Sequence, residues 1–129
     1  MKSIICKLAG ALALLCGLMM AVSCEKIEHS FFFSSLGGPY EFDMELDGST
    51  LMVSDDSGSS NKAVFYGSEA DMEHSNWVAE LDWIHVFYLP TSQHVHVLVL
   101  ENKTGAARKA RVSAERSGKR IVIAEFKQQ

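Results

Sequence analysis

His94 and His96 stand two residues apart in the run His94-Val-His-Val-Leu-Val99. In an extended chain such residues share a face, so both imidazoles could reach one metal ion, with His85 able to approach from another strand. No third ligand follows from the spacing, so the pair reads as an exposed polar strand face, with no metal and no cofactor expected. Asp47, Asp55 and Asp56 lie in Gly/Ser-rich loops where oxygen ligands for calcium could gather. The ligand spacing of an EF-hand is absent, and these acids read as solvated. Glu69, Asp71 and Glu73 would share a face if extended, in a charged connection with nothing to desolvate them. A sugar site needs an accessible aromatic face with polar groups beside it, and Trp77, Tyr88 and Tyr66 are the residues nominated for glycan contact. Trp77, which follows His74, Ser75 and Asn76, is the better candidate of the two tryptophans for an exposed ring, with a place in the core as its other reading. Trp83 opens an apolar run and is assigned to the core, where its ring buries a large area. There is no Gly-x-Ser-x-Gly, no phosphate-cradling glycine loop and no zinc-hydrolase helix motif. Nothing in the sequence points to a Ser-His-Asp triad, which is defined by geometry rather than spacing, and the chain reads as non-catalytic.

The remaining reactive residue is Cys24. Lys2 and Lys7 form a basic start, and Leu8 to Val22 is apolar or small throughout, shorter than the roughly 20 residues of a membrane-spanning helix. Residues 1–23 therefore read as an export signal. The segment Ala21-Val-Ser-Cys24 resembles the lipobox of bacterial lipoproteins, whose cysteine is acylated and becomes the first residue of the mature chain. Cys6 and Cys16 lie inside the signal, so the mature chain keeps Cys24 alone and forms no internal disulfide. The resemblance implies lipid attachment at Cys24, residues 24–30 as a lipidated tether, and a bacterial cell envelope location at the outer membrane or cell surface. The membrane is then a partner through the lipid, since two or more acyl chains anchor stably.

Removal of residues 1–23 leaves 106 residues, enough for one hydrophobic core. The mature chain carries a formal charge of -6, which argues against nucleic acid as a partner. Charge is segregated: residues 24–102 hold 2 basic and 14 acidic groups, and residues 103–129 hold 8 basic and 2 acidic. Basic C-terminal strands lying beside acidic ones would offset this asymmetry.

The positioning elements are strands. Tyr40, Phe42, Met44 and Leu46 alternate with Glu41, Asp43, Glu45 and Asp47, the pattern of a strand with one buried face. Eight further short runs, 31–33, 50–53, 63–66, 77–79, 84–87, 95–100, 110–114 and 121–126, are β-branched or aromatic and bounded by turn formers. Residues 106–115 have helical propensity but read as a strand. Ser54 to Lys62 is polar and Gly/Ser-rich and reads as a mobile loop. Nine short strands predict an antiparallel β-sandwich or barrel over residues 31–129.

The second half carries a family resemblance. Trp77-Val-Ala, Asp82-Trp-Ile-His-Val86, Val97 and Val99 leading into Glu101-Asn-Lys-Thr-Gly105, Arg108-Lys-Ala-Arg-Val112 and a closing strand ending in Gln128 resemble the BACON domain. This is the Bacteroidetes-associated carbohydrate-binding, often N-terminal family. Residues 47–76 are longer than the family's link into the first tryptophan. The resemblance implies an immunoglobulin-like antiparallel β-sandwich, with Asn102 and Arg108 holding a turn, Asn102 by bonds to backbone and Arg108 by its stem or a carboxylate. It also implies a glycan-contact, adhesion or spacer module. The other reading is a small subunit of a surface fimbria or protein complex that pairs through edge strands.

Overall fold

The computed structural model describes residues 27–129, so the export signal and Cys24 lie outside the described residues. Ten strands follow: β1 His29–Phe33, β2 Gly38–Asp43, β3 Thr50–Asp55, β4 Ser60–Lys62, β5 Val64–Tyr66, β6 Asn76–Glu80, β7 Ile84–Leu89, β8 His94–Val99, β9 Arg108–Arg116 and β10 Lys119–Gln128. A short 3-10 helix, Glu69–His74, precedes β6. One sheet runs β1-β10-β9-β3-β4 and the other β2-β8-β7-β6-β5. All pairings are antiparallel except β1 with β10. The chain is an all-β sandwich.

Period-two burial explains the core. β7 and β8 alternate strictly, turning Ile84, Val86 and Tyr88, and Val95, Val97 and Val99, inward. They meet Leu51, Val53, Ala110, Val112, Ala124 and Phe126 of the first sheet. The two sheets are joined at both sides. At one, only Ala63 separates β4 from β5, and its N–H bonds Leu51 O at 2.8 Å, so the chain changes sheets within a single residue. At the other, β1 turns into β2 through Gly37, whose φ is +79° and where a Cβ would stand 2.2 Å from Val99 O. Glycine alone fits there. His29 and Phe31 then pack on Tyr40, with His29 also stacked on Phe42 at 4.3 Å, and Phe33 packs on Phe31 and Phe126.

The structure departs from the expected strand list in three places. β4 lies inside Ser54 to Lys62, where a loop was expected. The Asp55 carboxylate accepts from Ser57 N, Ser57 Oγ and Ser59 N at 3.0, 2.6 and 3.2 Å, and this closed turn lets Ser60–Lys62 pair with β3. The β2 ladder stops at Asp43, although Met44 and Leu46 still pack on the core as their alternation requires. The first strand begins at His29, two residues before Phe31, because β10 offers it an unpaired edge.

Only part of the charge asymmetry is offset within the sheet of β9 and β10, because Asp56 and Asp47 come from loops of the acidic segment, Glu115 and Glu125 from β9 and β10 themselves, and acidic β2 lies in the other sheet. Arg111 bridges Glu125 at 3.3 Å and Asp56 at 3.4 Å, Arg120 meets Glu115 at 3.8 Å, and Arg116 meets Asp47 at 3.6 Å. Exposed pairs of this kind contribute about 0–1 kcal/mol each, so they offset charge more than they stabilise.

Candidate functional site

Trp77 on β6 lies directly across the ladder from Tyr88 on β7. Both line a cleft of about 300 Å³ at one end of the sandwich, rimmed by Asp47, Ser49, Thr50 and Gln93. Trp77 is half-buried and packs on Phe65 with ring centroids 5.2 Å apart. Tyr88 does not offer the exposed ring expected of it. It is 4% exposed, because the strict alternation of β7 turns it inward, and its hydroxyl donates to Met44 O at 3.2 Å. Burial pushes the Tyr88 phenol above its ordinary pKa. Tyr66 is 57% exposed but lies on the opposite face of the sheet, since its neighbour Phe65 is the residue paired with Trp77. The structure therefore brings two of the three nominated aromatics together and separates the third.

A second cluster forms on the outer face of the same sheet. β2 and β8 pair so that Glu41 faces His96 and Asp43 faces His94. Glu41 Oε1 lies 2.7 Å from His94 Nε2 and 3.3 Å from His96 Nε2, and Asp43 Oδ1 lies 2.5 Å from His94 Nδ1. Hydrogen bonds to Asp43 and then Glu41 push the His94 imidazole above its usual pKa. The hydrogen bond from His94, followed by the field of His96, holds the Glu41 carboxyl below its ordinary range. His85 takes no part and pairs with Glu80 at 2.7 Å. Glu41 was legible only as the wet side of β2, and the pairing of β2 with the distant β8 has no local signal.

Of the residues that carry the family resemblance, Trp83, Asn102, Arg108 and Gln128 lie at the opposite end from the Trp77 cleft, and their roles are structural. Trp83 is 7% exposed, as its apolar run requires, and its indole N–H donates to Asp55 Oδ2 at 3.1 Å. The Arg108 guanidinium lies 4.4 Å from the centre of the Trp83 ring, donates from Nε to Gln128 Oε1 at 2.8 Å, and reaches Leu100 O and Glu101 O at 3.2 and 3.3 Å. No carboxylate pairs with Arg108 among the described residues. Asn102 ties its own turn, donating to Ala106 O and Gln129 O at 2.8 and 3.0 Å while accepting from Thr104 N and Oγ1.

The loop acids are engaged rather than free. Burial would raise the Asp55 carboxyl, but donors from Ser57, Trp83 and Ser59 outweigh it and hold the group below its ordinary pKa. Asp56 pairs with Arg111 and Lys109, and Asp47 with Arg116. Glu69, Asp71 and Glu73 lie in the 3-10 helix, not an extended strand. A wider, open concavity of about 540 Å³ is lined by Phe32, Asp56, Arg108, Lys109 and Lys127. Its only aromatic is Phe32, and most of its charges are tied in the pairs already described.

No protein-family model matches the chain, and no match was found among curated proteins. Among solved structures, the chain is similar to a protein from Bacteroides thetaiotaomicron solved by NMR, with 14% identity, a TM-score of 0.45 and coverage of 81% of this chain and 78% of that one. It is also similar to part of a Bacteroides ovatus GH5 xyloglucanase in complex with a XXXG heptasaccharide, with 18% identity and a TM-score of 0.43. That match covers 79% of this chain but only 17% of the xyloglucanase.

Proposed function

We propose that the chain is a non-catalytic, lipid-anchored β-sandwich of the bacterial cell envelope, BACON-like in its second half, that contacts glycans through the cleft beside Trp77. The observation that carries this reading is the cleft itself. It sets a partly buried indole, packed against the core, among a carboxylate, two hydroxyls and an amide. A ring face for sugar C–H groups with polar partners for the hydroxyls is the composition such a site requires. The anchor is supported by the export signal and Cys24. With β1 beginning at His29, the five residues 24–28 span at most about 17 Å. β1 enters from the end of the sandwich that holds the cleft, so the glycans in reach are those close to the membrane.

Calorimetric titration with a panel of oligosaccharides tests the contact. The expected result is a measurable Kd that weakens at least tenfold in Trp77→Ala. Thr50→Val, which removes only a rim hydroxyl, is expected to weaken binding without moving the unfolding midpoint. A flat titration across the panel would reject glycan contact and leave a spacer. Mass spectrometry of the mature N-terminus tests the anchor. Acylated Cys24 is expected as its first residue, and Cys24→Ser is expected to stay unprocessed or leave the membrane. An unmodified N-terminus at any other residue would remove the lipid claim.

Assembly through an edge strand is favoured by one feature. β4 and β5 are three residues long and β2 carries Pro39, all of which blunt an edge, whereas β1 presents Phe31 and the 60% exposed Phe32. Concentration-dependent oligomers would support that reading.

A further inference from the structure

We propose that Glu41, His94 and His96 form a site for a divalent transition-metal ion, zinc above all. The three side chains come from adjacent antiparallel strands on one sheet face, with Glu41 directly opposite His96 and His94 two residues away. Cross-strand neighbours on one face hold their Cβ atoms about 4.5–5.5 Å apart, so the convergence is built into the ladder rather than into flexible loops. One ligand atom from each residue lies within 4.8 Å of the others. Ligands bound to zinc at about 2.0–2.1 Å in a tetrahedron stand roughly 3.3–3.5 Å apart. The His96 to Glu41 distance of 3.3 Å already matches, the 2.7 Å contact from His94 would open slightly, and the two imidazoles, within 4.8 Å of each other, would close on the ion.

The ligand types select the metal. Two imidazoles and one carboxylate suit zinc, copper or nickel, whereas calcium and magnesium prefer oxygen ligands alone. Asp43 strengthens the assignment, because it binds the other nitrogen of His94, Nδ1, and so turns Nε2 toward Glu41. A carboxylate behind a ligating histidine orients the ring and raises its basicity. The side chains of His96 and Glu41 are 47% and 52% exposed, so a fourth position stays open to solvent. His96 also lines a neighbouring cleft of about 400 Å³ with Pro39, Phe87 and Leu98.

The test is titration of the full chain with zinc chloride, followed by calorimetry and by the imidazole NMR signals. A background of Cys6→Ser, Cys16→Ser and Cys24→Ser keeps all three thiols out of the measurement. One equivalent is expected to bind, shifting the His94 and His96 signals and leaving those of His74 and His85 in place. His96→Ala and Glu41→Gln are each expected to weaken zinc at least tenfold, and Asp43→Asn by about tenfold through His94. The metal-free melting temperature of each variant shows that it is folded, since all three side chains lie on the surface. His85→Gln is expected to leave the affinity unchanged. Absence of zinc binding, unchanged affinity in His96→Ala and Glu41→Gln, or equal binding of magnesium would overturn the proposal.

Discussion

Trp83→Ala is expected to destabilise the domain by about 3–5 kcal/mol, the usual cost of deleting a large core aromatic. The ring is 7% exposed, and three interactions meet on it: packing into the core, the indole N–H on Asp55, and the Arg108 guanidinium over its face. For a small domain this approaches the whole of its stability. Urea unfolding of residues 25–129 measures it, and a loss below about 1 kcal/mol would show that the ring does not hold the core. Trp83→Phe separates the contributions, because it keeps most of the packing and removes the donor. The Asp55 carboxyl titrates below its ordinary pKa in the fold, so its contribution is present above the unfolded pKa and is lost as pH falls through the folded one. With one donor gone the folded pKa moves toward the ordinary value. The Trp83→Phe deficit is therefore expected to be larger near neutral pH and to shrink in acid. A deficit independent of pH would break the link between Trp83 and Asp55.

Gln128→Leu is expected to cost about 1–3 kcal/mol although the side-chain volume is nearly kept, because it removes the charge-assisted bond to Arg108 and a donor shared by three carbonyls. Gln128 is 1% exposed. Its Nε2 donates to Leu100 O at 2.9 Å, Ser34 O at 3.1 Å and Ser35 O at 3.3 Å, and its Oε1 accepts from Arg108. One amide thus closes the β1–β2 turn, the end of β8 and the last strand together. Arg108→Ala is expected to be less than additive with Gln128→Leu, since each removes the bond they share. Thermal and urea unfolding of the two single variants and the double variant decide this. Full additivity, or a Gln128→Leu variant as stable as the parent, would show that the network contributes nothing.

Local pattern made most of this architecture legible. A period of two in Tyr40 to Leu46 and in the later β-branched runs requires strands with one face buried, and turn formers between them keep the strands short. Trp83 could be assigned inward for the same reason. β4 was not legible, because Ser60-Asn-Lys62 has no apolar alternation and pairs through backbone alone once Asp55 has closed the turn before it. The nomination of Tyr88 failed for a related reason. The aromatic type says that a ring is present, whereas its face is set by the parity of β7, which the buried Ile84 and Val86 decide.

Residue pattern alone therefore sets the class of element and the inward and outward faces of the best-patterned strands. Strand order and register were decided only in the tertiary structure, because hydrogen bonds between strands distant in sequence leave no periodic trace in either one. The pairing of β2 with β8 sets Glu41 and Asp43 against His96 and His94 across more than fifty residues of chain. The pairing of β6 with β7 sets Trp77 beside Tyr88. The packing of one sheet's end on the other gathers Asp55, Trp83, Arg108 and Gln128 into one network. Each of these is a contact between side chains whose types were plain and whose neighbours were not, since a neighbour across a sheet is chosen by burial of the whole opposing face rather than by either residue.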